Sequence, residues 1–250
     1  MFSDKTLVGL GCSHTFGEYM GDYDPITCHE RSWVKKLEVL ADFKSSVNLA
    51  ARGGSNYRSE RVLLEYLKTN SKDIVVIFSV TDLSRFETVN VSHWETSENK
   101  SKAYNAEGAW GMNHDVSDKQ KKEFLEYYYS TLTNDEVDID IINRKVLMLH
   151  TLLNSLGIEH YFFEMLCCPH SLLTNQLGFN IPVIPFSTAK DTVVNIDWQQ
   201  ERPFNAIDWL KVRFPRAQCG HFDCDANQEL AEYLLGQINI IKGNQYDKII

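Results

Sequence analysis

The chain has 250 residues, of which 43% are hydrophobic and 24% are charged, and its formal net charge is −9. This composition is typical of a globular protein and excludes a disordered chain, and the apolar runs are far shorter than the ~20 residues of a membrane-spanning helix. The acidic balance excludes a general nucleic-acid binder, because phosphate contacts need clustered Lys and Arg. The first residues carry Asp4 and Lys5 and too short an apolar stretch for a secretory signal, so a cytoplasmic location is expected.

Strands and helices alternate along the first part of the chain. Residues 5–11 are predicted to form a short buried strand, and a loop through residues 21–30 leads into a helix over residues 31–41. Residues 45–56 give a second short strand that ends at a glycine pair, and a helix with one apolar face follows it. Residues 73–80 form a β-branched run with apolar side chains on both faces, which is typical of a parallel strand covered on two sides.

The regular alternation stops after the third strand. Residues from about 86 to 135 are polar and are interpreted as an insertion, with a helix near residues 119–132. Residues 137–156 then predict a long amphipathic helix that Gly157 stops, and residues 158–166 predict a fourth strand.

The C-terminal part is expected to be largely irregular over residues 167–219 and to end in a helix over residues 226–241. Repeated alternation of strand and helix predicts one α/β domain with a three-layer sheet. In such folds, sites form at the carboxyl ends of the strands.

Small and polar residues follow three of the predicted strands, and a fourth such stretch precedes the last helix. The four stretches are residues 11–17, 48–56, 79–87 and 220–223. In order and position they resemble the motifs of the SGNH, or GDSL-like, hydrolase family of esterases and lipases. The resemblance extends from about Leu7 to Leu235, and it is to SGNH-like proteins of phage and bacterial genomes in particular.

The motif matches can be stated residue by residue. Gly11, Cys12 and Ser13 stand where the family has Gly-Asp-Ser. His221, with Ala231 ten residues on, matches the family histidine ahead of the last helix. The second motif is matched at all four positions, which are Asn48, Ala50, Gly53 and Ser55.

The resemblance implies a flavodoxin-like three-layer α/β/α sandwich with a mainly parallel sheet, and an ester hydrolase that needs no cofactor. Ser13 is the implied nucleophile and His221 the base that activates it. The backbone N–H groups of Ser13 and Gly53 are the implied oxyanion donors. The expected substrate is a small-molecule or glycan ester, and the sequence leaves the oligomeric state open.

Two departures from the family pattern bear on activity. Thr81 stands where the third motif has an asparagine, and its hydroxyl reaches less far than an amide. Gln218 stands where the family aspartate would be, three residues before the histidine. His221 is then oriented by a backbone carbonyl, by Asp223 or Asp225, or by nothing, which gives a Ser–His dyad or an incomplete triad. The alternative function is therefore a catalytically degenerate SGNH-fold protein that works in binding or structure.

Further residues are candidates for contacting the substrate or orienting the site. On an extended chain, His14 would point away from Ser13 and belong to the structure or the substrate pocket. Arg85 and Glu87 form either an ion pair near the site or an exposed pair worth little, and Arg85 can instead meet an anionic substrate group. The complete candidate set is His14, Asn56, Asp82, Arg85, Glu87 and Asp223.

Structural roles compete with these assignments. Ser13 can cap the turn after its strand, Asp82 can be an N-cap, and Gly53 can serve only to permit a tight turn.

Zinc binding is a less favoured alternative, and no metal site is predicted. The two stretches that carry zinc ligand types are residues 167–170 and 219–224. Neither contains a Cys-x-x-Cys pair, and His221 cannot both ligate zinc and act as a free base. The six cysteines are expected to be reduced thiols.

Overall fold

The computed structural model describes residues 2–20, 24–82, 85, 88–89, 104–105, 123, 127, 131, 135–166, 181–186 and 205–246. The insertion predicted at 86–135, with its helix near 119–132, lies almost wholly outside the described residues. The same is true of most of the segment predicted to be irregular at 167–219.

A four-stranded, wholly parallel sheet lies at the centre of the described chain. Its strand order is β2-β1-β3-β6, and a separate antiparallel pair is formed by β4 and β5. The strands are β1 (Thr6–Leu10), β2 (Ser45–Asn48), β3 (Ile74–Val80), β4 (Thr88–Val89), β5 (Tyr104–Asn105) and β6 (Glu159–Glu164). The predicted parallel sheet is confirmed.

The described helices fall between these strands and after the last of them. They are α1 (Ser13–Phe16), α2 (Pro25–Arg31), α3 (Trp33–Leu40), α4 (Asn56–Thr69), α5 (Asp135–Ser155), α6 (Ala206–Lys211) and α7 (Cys224–Tyr246). None of the described helices combines the length and the apolar character that a bilayer crossing requires.

Two of these helices correct the sequence prediction of a loop or irregular chain. Helix α2 lies in the predicted loop at 21–30, where the Asp24 carboxylate accepts from the Thr27 N–H and Pro25 opens the helix. Helix α6 lies within the segment predicted to be irregular, and Asn205 caps it by accepting from the Asp208 N–H. Both helices are short, so apolar periodicity signals them only weakly.

Helices cover both faces of the sheet. Alternate strand residues point to opposite faces, and Leu7 and Ile77 pack in one cluster with side chains of α3, α6 and α7. Val8 and Val76 pack in a second cluster with side chains of α4 and α5. The described chain is therefore a three-layer α/β/α sandwich, as predicted.

The strand order reverses direction between β1 and β3. The chain leaves β1 for β2 on one side and returns to β3 on the other, which makes the β1/β3 junction a topological switch point where ligands commonly bind. Leu10 of β1 is in register with Phe78 of β3. Ser13 and Thr81 each follow that pair by three residues, so the fold places both at the same sheet edge.

Candidate active site

Ser13 and His221, 208 residues apart in sequence, are in direct contact at this edge. The Ser13 Oγ lies 2.8 Å from the Nε2 of His221. Both residues are buried, Ser13 being 3% and His221 8% exposed. When the imidazole is neutral, the hydroxyl donates to Nε2 and the ring proton lies on Nδ1.

The position of Ser13 depends on the glycine two residues before it. Gly11 has a φ of +153°, and a Cβ there would lie 1.9 Å from the Oγ of Ser79 and 2.5 Å from the Oγ1 of Thr15. The Ser79 hydroxyl donates to the Leu10 carbonyl at 2.8 Å, so it accepts from the Thr15 hydroxyl at 2.7 Å. These bonds tie α1, which begins at Ser13, to strands β1 and β3.

The Gly53 turn packs against the same glycine. The Gly54 N–H donates to the Ala51 carbonyl at 3.0 Å, and Gly53 has a φ of +61°, a turn conformation that favours glycine. A Cβ on Gly54 would lie 2.6 Å from the Gly11 carbonyl oxygen. Within the described ranges, no acceptor is hydrogen-bonded to the N–H of Gly53 or to that of Ser13. Both amides are therefore available as donors.

Asn56 holds the end of β3 in place. Its Nδ2 donates to the Thr81 carbonyl at 3.1 Å, and its Oδ1 accepts from the Thr81 N–H at 2.9 Å. The Thr81 Oγ1 is buried and has no hydrogen-bond partner among the described residues. Asn56, a candidate for substrate contact, thus holds the backbone of Thr81. The Thr81 hydroxyl remains available to bind a ligand.

A tight turn before α7 presents the imidazole. The Gly220 N–H donates to the Ala217 carbonyl at 2.8 Å, and the Ala217 N–H donates to the His221 carbonyl at 3.0 Å. The N–H of Met20 donates to the Cys219 sulfur at 3.2 Å, which joins this turn to the chain that follows α1. These bonds bring the loop of His221 next to Ser13.

Glu18 is a charged residue of the site that the sequence motifs do not include. Its Oε2 lies 3.9 Å from the His221 Nε2 and accepts from the Arg52 Nε at 3.0 Å, and the residue is only 6% exposed. Gly17, with a φ of +88°, ends α1 and lets the Glu18 N–H donate back to the Ser13 carbonyl at 3.2 Å. An acidic residue one position after a helix-ending glycine was the available signal.

The other imidazole nitrogen has no carboxylate partner in the described part of the chain. The Nδ1 of His221 is buried and makes no hydrogen bond of normal geometry with the described residues. Asp223 is committed elsewhere, because its Oδ1 accepts from the Ala226 N–H at 3.0 Å at the start of α7. The described geometry is that of a Ser–His dyad.

The surroundings of His221 favour its neutral form. Burial lowers its pKa; the charge of Glu18 and the backbone of Cys219 raise the pKa, and the charges of Arg216 and Arg85 lower it. The net result is a pKa below the ordinary value, so that the imidazole is neutral and able to accept a proton at pH 7.

His14 lies beside the imidazole rather than away from it. Its ring centroid is 4.7 Å from that of His221, and burial, followed by the charge of His221, lowers the pKa of His14 well below the ordinary value. The expectation that it points away from Ser13 is wrong because the segment is helical. Successive helical side chains diverge by about 100°, whereas those of an extended chain diverge by about 180°.

The remaining candidates divide between described and undescribed positions. The Nη1 of Arg85 donates to the Gly54 carbonyl at 3.4 Å, and the Arg85 N–H donates to the Asp82 carbonyl at 3.4 Å. Glu87 lies outside the described residues, as do Cys167, Cys168 and His170. Among the residues that are described, no group of three or more His, Cys, Asp or Glu side chains is arranged as a metal site.

A small pocket lies beside the imidazole. It has room for about one water molecule, and it is bounded on the polar side by His14, Glu18 and Asn227. Its apolar lining comes from Met165 and from side chains of α6 and α7, among them Ile207, Leu210 and Leu230. The arrangement provides a hydroxyl, a neutral base and a partly apolar space next to each other.

Comparison with known proteins adds no assignment. No protein-family model matches the chain, and no curated protein matches it.

Proposed function

We propose that the chain is a serine esterase resembling the SGNH family, which cleaves an ester or O-acyl group through a Ser13–His221 dyad. The observation that carries this proposal is the 2.8 Å contact between the Ser13 Oγ and the His221 Nε2 at the switch point of the sheet. A serine hydroxyl in contact with a neutral imidazole is the arrangement that activates a serine nucleophile.

The reaction proceeds in two steps. The Ser13 Oγ attacks the ester carbonyl carbon while its proton passes to the His221 Nε2, and the tetrahedral intermediate collapses to release the alcohol, which takes that proton. A water molecule then gives a proton to His221 and attacks the acyl-serine. Collapse of this second intermediate releases the acid, and the proton passes from His221 to the Ser13 Oγ, which restores the hydroxyl.

Oxyanion stabilisation is assigned to groups that the fold leaves available. The N–H groups of Ser13 and Gly53 donate to the developing charge, and the unpartnered hydroxyl of Thr81 adds a third donor. Losing one such donor typically costs ~10²–10³ in rate. The pocket beside His221 has room for about one water molecule, which favours the shortest acyl groups, such as acetyl.

Glu18 supplies the negative charge that a dyad otherwise lacks. When His221 takes up the proton of Ser13, the carboxylate 3.9 Å from Nε2 stabilises the imidazolium. In a complete triad, a carboxylate on the opposite nitrogen has this role.

Covalent labelling tests the proposal. A fluorophosphonate probe is expected to label the wild-type protein at Ser13, and p-nitrophenyl acetate is expected to be hydrolysed. Ser13→Ala should abolish labelling, and His221→Ala should lower both rates by at least ~10² because the base is lost. Ser45→Ala, an exposed serine at the start of β2, is the control and should be labelled like the wild type.

The second candidate is a degenerate SGNH-fold protein that binds a ligand without turnover. The observation that favours it is the buried Nδ1 of His221, which has no carboxylate partner in the described part of the chain. A folded wild type that neither reacts with the probe nor hydrolyses any ester would support this candidate and contradict the esterase proposal.

A further inference from the structure

We infer that the ester substrate carries an anionic group, a carboxylate or a phosphate, which Arg85 and Arg216 recognise from two sides of the Ser13–His221 pair. This inference rests on the proposed function and concerns the substrate class of the same site.

Arg85 lies on the oxyanion side of the pair. Its guanidinium donates to the Gly54 carbonyl, and Gly54 packs against Gly11 and Cys12, directly before Ser13. The side chain is thus placed over the turn that contains Gly53, and it belongs to the segment just after β3.

Arg216 lies on the imidazole side. Its guanidinium lies over the ring of Phe222 at 5.3 Å from the centroid, and Phe222 follows His221 and lies 6.2 Å from His14 by ring centroids. Arg216 is exposed, so its charged end can meet a ligand. The two guanidinium charges also act on both imidazoles, since each lowers the pKa of His14 and that of His221.

The nearby carboxylates are hydrogen-bonded to other groups. Burial lowers the pKa of Arg216 and the charge of Asp208 raises it, so this carboxylate offsets part of the positive charge. Glu18 is paired with Arg52, and the Asp208 carboxylate accepts from Lys211 and Asn205. Among the described residues, no carboxylate lies within ion-pair distance of Arg85 or Arg216.

The positive charge of Arg85 and Arg216 beside the Ser13–His221 pair contrasts with the negative charge of the whole molecule. The chain as a whole has a formal net charge of −9, yet in the described chain neither Arg85 nor Arg216 has a carboxylate within ion-pair distance. Guanidinium groups bind carboxylate and phosphate through paired N–H donors. A substrate with such a group would be drawn to the site and oriented there.

Matched ester pairs test the inference. On the acyl side, p-nitrophenyl butyrate is compared with mono-p-nitrophenyl succinate. On the alcohol side, methyl 4-acetoxybenzoate is compared with 4-acetoxybenzoate and with 4-acetoxyphenyl phosphate. We define the charge preference as kcat/KM for the anionic ester divided by kcat/KM for its neutral partner. The arm with the larger preference tells whether the anion lies on the acyl or the alcohol part, and whether it is carboxylate or phosphate.

The wild type is expected to have a charge preference above one in at least one arm. Arg85→Gln and Arg216→Gln should each bring it closer to one, by up to roughly tenfold, because each removes a charge-assisted hydrogen bond. The Lys variants should retain part of the preference, and added salt should reduce it. Arg213→Gln, which removes a guanidinium stacked on Trp209, is the matched control and should leave the preference unchanged.

Three outcomes count against the inference. Neutral esters hydrolysed as fast as anionic ones by the wild type would overturn it while leaving the esterase proposal intact. A preference that survives both Gln variants, with folding checked by circular dichroism, would do the same. Absence of turnover of every ester by folded protein would remove the esterase proposal, and the inference with it.

Discussion

The protonation state of one imidazole controls the proposed chemistry. His221 must be neutral to accept the proton of Ser13, and it must then carry a positive charge while the oxyanion exists. Burial favours the neutral form by lowering the pKa, whereas Glu18 raises the pKa and favours the charged form. Together these effects keep His221 neutral and available as a base at pH 7, and they still allow the imidazolium to form during the reaction.

Glu18→Gln is expected to shift the pH profile as well as the rate. Wild-type kcat/KM should fall as pH decreases through the pKa of His221, and because that pKa is lowered, the fall should lie below ~6.5. Removing the carboxylate removes an effect that raises the pKa, so the acidic limb should move to still lower pH. The value of kcat should decrease because the imidazolium loses its counter-charge.

This prediction is checked by the initial rates of p-nitrophenyl acetate hydrolysis between pH 4.5 and 8. The p-nitrophenol released is detected at a wavelength at which its absorbance does not depend on pH. Glu65→Gln, which removes an exposed carboxylate of α4 paired with Lys68, serves as the control. An acidic limb that moves to higher pH in Glu18→Gln would contradict the assigned role.

Sequence motifs predict some of the candidate site residues but not what they contact. Ser13 and His221 could be proposed because the motif positions fall at a strand end and before the last helix. Glu18 is not predictable from the motifs, because its approach to His221 depends on the left-handed turn at Gly17. The sequence predicts a substrate contact for Asn56 and not its structural role, because its bonds to the Thr81 backbone arise only when β3 and α4 pack together.

At the scale of elements, long strands and helices were predictable and short helices were not. The apolar run of β3 and the periodic pattern of α4 reflect burial on the two faces of a sheet, which sequence periodicity reports directly. Helices α2 and α6 have 7 and 6 residues, too few for periodicity, and their end caps are their main local signal. The role of α6 in lining the pocket follows from tertiary packing alone.

A pair of imidazoles joins α5 to strand β6. The His160 Nδ1 donates to the Ile158 carbonyl at 2.8 Å, so its Nε2 accepts from the His150 Nδ1 at 2.8 Å. The His150 Nε2 then accepts from the Asn154 amide at 3.0 Å. This chain of bonds requires both rings to be neutral, and burial lowers the pKa of each.

We expect this pair to make the fold sensitive to acid. Below the unfolded pKa of ~6.5, the two histidines bind protons in the unfolded chain, whereas the folded rings stay neutral because their pKa is lower. The free energy of unfolding therefore decreases as pH falls. His150→Gln keeps a donor toward His160 and removes one titrating group. As pH falls, the free energy of unfolding of this variant should therefore decrease less steeply than that of the wild type, by up to about 1.4 kcal/mol per pH unit.

Urea unfolding at pH 5.5, 6.5 and 7.5 measures these slopes. Met148→Gln, an exposed substitution on the same helix, should change the free energy of unfolding without changing its pH slope. Equal slopes for the wild type and His150→Gln would show that the pair does not resist protonation.

At the scale of the whole molecule, the two faces of the sheet have different relations to the site. His221 lies just ahead of α7, separated from it by Phe222 and Asp223, and the pocket beside it is lined by side chains of α6 and α7 on one face. Helices α4 and α5 cover the opposite face with a separate buried cluster. Both faces stabilise the same sheet. In the described chain, α6 and α7 line the pocket beside His221, whereas α4 contributes Asn56, which holds Thr81.

Equivalent core truncations on the two faces should therefore separate stability from selectivity. Leu153 of α5 and Leu230 of α7 are 0% and 1% exposed, so Leu153→Ala and Leu230→Ala should each lower the free energy of unfolding by about 2–5 kcal/mol. Leu230→Ala also enlarges the pocket and should raise kcat/KM for p-nitrophenyl butyrate relative to the acetate. Leu153→Ala should leave that ratio unchanged, because its cavity opens on the far side of the sheet. Urea unfolding measures the loss of stability, and the two ester assays, run where both variants are folded, measure the acyl preference. An altered acyl preference in Leu153→Ala alone would show that the pocket beside His221 does not hold the acyl group.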